Sequence, residues 1–477
     1  MRIGKLVVAT EGDLRKMHDA AMGILETVGM RVTHRPALDR LEAYGGKVSR
    51  ADCVVRMPSK VVQKAIAAMK KKRTPSRKSP DGGFAGKFSV SLGDGCFFFY
   101  DFDKKTRRKA TRKDFIDAVR FADAVSEVTS FAAPVEIGDF PIKTMVLEMQ
   151  ALCYLNSEKP SSVESNIPEQ IKHLAELHKV AGDYRQEASS WLGSAQGVTS
   201  PLTFGDRAFE LYLEGGKHGF KSGVYTMPIA GMNAPVTVEG CATQAAAEIL
   251  GAWTCLMAID EDRIVGTLVL TGTTDMRTGK TCWSSPGAIR QNCLVSAMLE
   301  DVVGVSVNWD WTWYTDAIEP GYQCGIDRAM KILTLAPQSG SMGFHAGDLD
   351  GASVFSLEQA VLDLDICRAI WQLFKPCHFD EEMMAVGEIK DLGLSHGKTH
   401  LERPFTLQHF REAQFMPEII PHPYWREDLQ GVAESDVIKA AHERWKSIVA
   451  KHEPYQAPAR MIRDIEKVLA RAREELS

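Results

Sequence analysis

From Thr111 onward the chain alternates amphipathic helical stretches with short runs of small and β-branched residues, and no other feature of the sequence constrains the fold as much. "RKDFIDAVRFADAV" has apolar residues at helical spacing and "SFAAPVEI" reads as a strand. Further strand-like runs follow at "SSVES", "ASSWLGSA", "KSGVYTM", "RIVGTLVL", "VGVSVNW" and "GSMGFHAG", with helical stretches such as "PEQIKHLAELHKVAG", "TQAAAEILGAWTCLMAI" and "DRAMKILTLAPQ" between them. A strand followed by a helix returns to a parallel neighbour. Seven or eight such units in about 250 residues favour a closed (β/α)8 barrel of the TIM type over an open sheet. We expect the barrel over residues 111–355. Residues 1–110 read as an N-terminal extension: a helix over 12–30, a second at "PSKVVQKAIAAMK", and a strand, Gly-rich turn, aromatic strand and charged hairpin tip in "GKFSVSLGDGCFFFYDFDKKTRRKAT". Residues 356–477 read as a C-terminal helical region packed on the barrel.

With 477 residues, 44% of them hydrophobic, the chain can bury a sizeable core. A net charge of −5 gives no global attraction to nucleic acid or an anionic membrane. The basic run from Lys70 to Lys78 contains Pro and Ser and no aromatic residue, which suits a solvated linker. No window approaches eighteen consecutive apolar residues and the N-terminus lacks a signal-peptide core, so we expect a cytoplasmic protein without a membrane span. Ten scattered cysteines form no C-x-x-C pair, as expected of reduced thiols. A large barrel with long helical flanks is expected to form homo-oligomers.

Several chemistries lack a sequence handle. "GDGCFF" at Gly93 falls short of G-x-G-x-x-G, and there is no P-loop, H-E-x-x-H or G-x-S-x-G. "LSHGKTH" sets His396 and His400 at i, i+4, but the flanking Gly393, Gly397 and Pro404 favour a loop over a metal-binding helix. "GFHAGDLDG" places His345, Asp348 and Asp350 at a strand's C-terminal end, where barrel active sites lie. His345 there either acts on a ligand or simply bonds a backbone carbonyl.

"NWDWTWYTDA", residues 308–317, sets Trp309, Trp311 and Trp313 on one face of an extended segment, followed by Tyr314. At a strand end these rings would overhang the barrel mouth; the competing reading is ordinary packing. A quaternary ammonium has charge but no N–H, so π faces hold it, each contributing about 0.5–2 kcal/mol. A sugar could stack on the same rings, though no convincing pair of acidic groups for its hydrolysis stands out.

The chain resembles the trimethylamine methyltransferase family through "HDAAMGILETVGMRVTHRPALDRLEAYGGKV", "FYDFDKKTRRKATRKDFIDAVRFADAV", "PIAGMNAPVTVEGCATQAAAEILG", "TTDMRTGKTCWSSPGA" and "DGASVFSLEQAVLDLDICRAI". These blocks span almost the whole sequence, and the likeness is to members that lack pyrrolysine and demethylate quaternary amines. All residues belong to the standard twenty, which sets the chain apart from the trimethylamine enzymes. The resemblance implies methyl transfer, with glycine betaine giving dimethylglycine, to the cobalt(I) corrinoid of a partner protein. This chain lacks the D-x-H-x-x-G cobalt-ligating pattern, so no corrinoid and no metal are expected to be held by it.

Such chemistry removes no proton from the substrate; the protein positions the substrate, excludes water and admits the cofactor. On that reading Trp309, Trp311, Trp313, Tyr314, Tyr100 and Phe98 form an aromatic wall and Asp94 complements the cation. His345, or a backbone N–H nest at "SLGDGCF", anchors the substrate carboxylate. Two other functions stay open: a non-catalytic betaine-binding protein on the same fold, and a metal-dependent barrel hydrolase using His345, Asp348 and the His396/His400 pair.

Overall fold

The computed structural model describes residues 8–73, 88–184, 193–309, 314–339, 342–375, 377–394, 399–420 and 432–477. It is a mixed α/β fold organised around two arcs of parallel strands. One arc runs Met342–Ala346, Phe88–Leu92, Val128–Ala132, Ser161–Ser162. The other runs Gly193–Val198, Lys221–Thr226, Val265–Val269, and extends through a parallel bridge between Leu268 and Asn308. The helices between these strands bury apolar faces against them, as βαβ geometry requires. Among the described residues, no ladder joins Ser161–Ser162 to Gly193–Val198, or Asn308 to Met342–Ala346.

Most of the expected strands are present, with one reduced. "VGVSVNW" contributes only the bridge at Asn308, because its backbone donors go elsewhere: Val305 N–H to the Leu299 carbonyl and Ser306 N–H to that of Arg73. With those groups committed, a strand ladder cannot extend back from Asn308. The start of "ASSWLGSA" lies outside the described residues.

Phe88–Leu92, assigned to the N-terminal extension, sits in the parallel sheet between Met342–Ala346 and Val128–Ala132. The C-terminal helix Leu357–Phe374 follows the Met342–Ala346 strand and packs against it and against Tyr322–Ser339. The aromatic strand Phe98–Asp101 pairs with Thr106–Arg108 as the expected hairpin, but belongs to a separate small sheet with Asp348–Leu349 and Val354–Phe355.

At the N-terminus, helix Glu11–Thr27 starts at a capping box, where Thr10 and Asp13 satisfy each other's backbone N–H. The Met30–Val32 strand pairs in parallel with Thr203–Phe204, stitching this region to the core. Helix Val238–Ile259 is long and apolar enough to cross a membrane by composition, yet it is mostly buried and packs on Glu11–Thr27, Ser59–Lys72 and Pro286–Ala297.

Candidate active site

A cavity of about 1370 Å³ lies between the arcs, and residues from every strand of both arcs line it. Its wall is built from small side chains: Ser89, Ser91, Ser130, Ser161, Ala195 and Gly223. Serine, alanine and glycine at these inward positions leave the space between the arcs hollow.

Three carboxylates follow three neighbouring strands: Asp94 after Phe88–Leu92, Glu136 after Val128–Ala132 and Glu164 after Ser161–Ser162. Asp94 is set by a turn at Gly93, whose φ of +64° and approach to Pro134 (2.5 Å from an added Cβ) admit only glycine. The Glu164 carboxyl opens to the cavity, yet protein surrounds it on nearly all sides, and this desolvation lifts its pKa to about 7. Burial also raises Glu136, against the opposing pull of Lys109. Tyr225 joins this group: desolvation first, then the charges of Glu164 and Asp94, raise its phenol to about 12, so it stays neutral. Its ring lies across Gly197, where an added Cβ would sit 2.8 Å from the ring. Arg73 and Lys221 line the cavity near the strands' N-terminal ends. The cavity is therefore acidic at one end and basic at the other.

His345, on the strand paired with the one that leads to Asp94, and Tyr314 also line the cavity. Behind His345 the fully buried Asp348 carboxyl, raised to about 6 by burial and pulled back by Arg328 and His345, accepts from the Cys96 thiol at 3.3 Å. Arg328, also fully buried, donates to the Asp348 carbonyl at 3.1 Å and pairs with Asp363 at 3.4 Å. Asp363 in turn accepts from Gly347 N–H (2.8 Å) and the Gln359 amide (2.8 Å). Each partner of that ion pair thus has further hydrogen bonds to offset its desolvation. The Tyr314 ring packs at 5.1 Å from Trp283, and its carbonyl accepts from the buried Lys331 ammonium and from the Ser284 hydroxyl. Burial, then the nearby Arg328, lowers Lys331 to about 7.

The cavity brings together three of the expected site residues, Asp94, Tyr314 and His345. Trp309 is buried in the apolar core and does not line the cavity, although its neighbours Val307 and Asn308 do. Trp311 and Trp313 lie outside the described residues. Tyr100 is buried in a separate cluster with Leu349 and Val354. Phe98 also stands apart, its ring engaged by Arg107 at 4.7 Å and Lys109 at 4.8 Å, so the protein's own cations use the surface a ligand cation would need. The expected nest is not free for an anion: the N–H groups of Gly93, Gly95 and Cys96 donate to the carbonyls of Ala346, Ala133 and Pro134.

Asp350 is engaged by Lys280 (2.8 Å) and Arg107 (3.3 Å), and Asp348 points into the core rather than the mouth. His400 opens an exposed turn and His396 lies outside the described residues. Among the described residues, no group of three or more His, Cys, Asp or Glu is placed to hold a metal ion. Sequence reading missed Glu136, Glu164, Tyr225 and Lys331. For Glu164 the signal was available: a carboxylate two residues beyond a strand made of serines.

Residues 2–477 match the family described as "Trimethylamine methyltransferase (MTTB)". Among curated relatives, a trimethylamine methyltransferase of Desulfitobacterium hafniense is 22% identical, over 98% of this chain and 94% of its own length. A glycine betaine methyltransferase of the same species is 23% identical, over 94% of each chain. Among solved structures, the Methanosarcina barkeri monomethylamine methyltransferase aligns over 99% of this chain and 95% of its own, at 14% identity and a TM-score of 0.47. With the match running essentially end to end, the chain belongs to the trimethylamine methyltransferase family and is a methyltransferase.

Proposed function

We propose that this enzyme moves a methyl group from a quaternary amine, glycine betaine first among the candidates, to the reduced corrinoid of a separate partner protein, leaving dimethylglycine. One observation carries the reading: three carboxylates and two tyrosine rings converge on a cavity at the C-terminal ends of parallel strands. A quaternary ammonium offers no donor, so field and π surface are what can hold it. We further infer that the two arcs are halves of one (β/α)8 barrel, since their strands face a common cavity in chain order, and that the protein works in the cytoplasm.

The chain's residues fit such a pair of reactants. At about 1370 Å³ the cavity exceeds the usual 300–1,000 Å³ of a small-molecule pocket, leaving room for a second reactant beside the amine. When docked, the corrinoid supplies the reduced cobalt centre that accepts the methyl group. Asp94, Glu136 and Glu164 set a negative field around the cation, and the rings of Tyr225 and Tyr314 face its methyls. The C–N bond breaks, its electron pair stays on nitrogen as a neutral tertiary amine, and no proton moves. His345 meets the carboxylate of the substrate and so chooses which methyl points outward.

The test is methyl transfer to cob(I)alamin across a panel of betaines, with tetramethylammonium included. Dimethylglycine and methylated cobalamin in equal amounts are expected from glycine betaine. A betaine that binds calorimetrically without turnover would instead make this a binding protein. His345→Gln should lower kcat/KM for glycine betaine about tenfold and leave tetramethylammonium within twofold; equal losses on both would remove His345 from carboxylate recognition.

A further inference from the structure

The basic end of the cavity is organised around Arg73. This residue follows helix Ser59–Lys72, and its backbone is held twice: its N–H donates to the Met69 carbonyl and its carbonyl accepts from Ser306 N–H, each at 2.9 Å. The side chain enters the cavity over Gly266, where an added Cβ would stand 3.3 Å from Arg73 Nη1. Gly266 pairs with Gly223 and Gly223 with Ala195, so at this level three neighbouring strands present nothing larger than a methyl group. The guanidinium reaches into the space they leave. Among the described residues it makes no hydrogen bond or ion pair. Burial lowers its pKa, and Glu300, which pulls the other way, stands beyond ion-pair distance and accepts instead from Val307 N–H at 3.3 Å. Arginine keeps its proton throughout. Lys221, on the same face of its strand as Gly223 and Tyr225, adds positive charge to this end.

Tyr225 is two residues beyond Gly223 on that face, about 7 Å further along the strand. Its phenol feels the charges of Glu164 and Asp94, so the acidic end begins at that level. An ammonium held there and an anion on Arg73 are thus separated by on the order of 7 Å. Glycine betaine has one carbon between its nitrogen and its carboxylate and cannot touch both. An arm of three or more methylenes spans them. The field also sets direction: a dipolar ligand turns its ammonium toward the carboxylates at the strands' C-terminal ends and its acid toward Arg73.

We propose that Arg73 anchors the carboxylate of long-armed quaternary amines, so that the cavity admits trimethylammonio carboxylates with three or more methylenes beside glycine betaine. The proposal rests on the methyl-transfer reading above and adds to it the length of the substrate. The paired N–H groups of a guanidinium match the two oxygens of a carboxylate, and that fork holds the arm along the cavity. His345 serves an acid next to the ammonium, and Arg73 serves one farther down.

The test pairs trimethylammonio carboxylates of one to five methylenes with alkyltrimethylammonium ions of equal length, in methyl transfer to cob(I)alamin and in calorimetry. In the wild type, acids with three to five methylenes should exceed their uncharged-arm counterparts in kcat/KM by about tenfold or more. Arg73→Met should lower kcat/KM for the long acids about tenfold more than for glycine betaine, through KM, and Arg73→Lys should recover part of that loss. No preference for the long acids in the wild type, or equal losses on every substrate in Arg73→Met, overturns the proposal. Should Arg73→Met misfold, the wild-type comparison and Arg73→Lys decide. If no amine of the panel gives up a methyl group, the methyl-transfer reading falls and calorimetry judges Arg73 by itself. Tighter binding of the long acids that Arg73→Met loses then supports the anchor, and equal binding of acid and uncharged arm overturns it.

Discussion

Two groups of residues along the cavity wall treat charge in opposite ways. In one, Glu136 and Glu164 face the void, and among the described residues Glu164 has no ion-pair partner, so burial pushes its carboxyl up to about 7. In the other, the charges lie behind the lining residues and are matched: Arg328 with Asp363 behind His345, and Lys331 on the Tyr314 carbonyl beside Asp316 and Asp327. Unmatched charge facing a cavity is a standing cost to the fold that a cationic ligand relieves. Matched charge behind a ring fixes where that ring stands. The first group selects by field and the second by position.

The largest effect should come from breaking the second group. Lys331→Met leaves the buried Tyr314 carbonyl without the donor that Lys331 gives it, a loss of about 1–3 kcal/mol. Melting should fall by a few degrees. The pH dependence adds a sharper readout. Lys331 titrates at 10.5 in the unfolded chain and about 7 in the folded one, so between these values the unfolded chain binds more protons and stability rises with pH. Lys331→Met should flatten that rise. Melting curves from pH 7 to 10 that superpose on wild type would show that Lys331 carries neither role.

Next in size is the field group. Glu164→Gln removes the negative charge that faces the cation and should lower kcat/KM by about 10- to 100-fold, with the loss mostly in KM. Its stability should move the other way. A carboxyl at 4.5 unfolded and about 7 folded binds more protons in the folded chain between those values, so wild-type stability falls as pH rises through that window. At pH 8 the Gln variant should therefore melt higher than wild type while working worse. Wild-type affinity for the amine should rise with pH through about 7. A variant that loses both stability and activity at pH 8 would place Glu164 in the structure rather than the field.

This contrast also explains what was legible in the sequence. The alternation of helix and strand gave the parallel architecture, because period and length are local properties. His345 and Asp94 could be placed at the cavity because one lies near the end of Met342–Ala346 and the other just after Phe88–Leu92, and a strand end can be read from the sequence; Tyr314 lines the cavity without a strand end beside it. Trp309 was misplaced for a physical reason: a bridge at Asn308 replaces the expected strand, and the indole turns into the core. Glu164 and Tyr225 were missed because their meaning depends on emptiness. Only the serines, alanines and glycines of several distant strands together leave the void that makes a carboxylate costly. Lys331 was missed because a lysine on an amphipathic helix reads as solvated until tertiary packing buries it.

A smaller change probes how closely the field group is shaped. Gly197→Ala puts a Cβ 2.8 Å from the Tyr225 ring, and the ring has to shift. A stability loss of about 1 kcal/mol and a KM raised a few-fold are expected. If Tyr225 has no contact with the substrate, KM will not change while melting still drops.

The smallest effect belongs to residues that composition alone recommended. Tyr100 is packed with Leu349 and Val354 outside the cavity, and the Phe98 ring is engaged by Arg107 and Lys109. Both belong to the small sheet formed by Phe98–Asp101, Thr106–Arg108 and the strands after residue 347, so they touch the site only through the chain that also carries Asp94. Tyr100→Phe keeps the ring's packing and Phe98→Leu keeps an apolar stem under the cations. Each should leave kcat/KM within about twofold, since neither side chain meets the cavity. A tenfold loss of kcat/KM for either, at unchanged melting temperature, would mean that the aromatic hairpin closes over the substrate during turnover, and the acidic side would then be only half of the cation's cage.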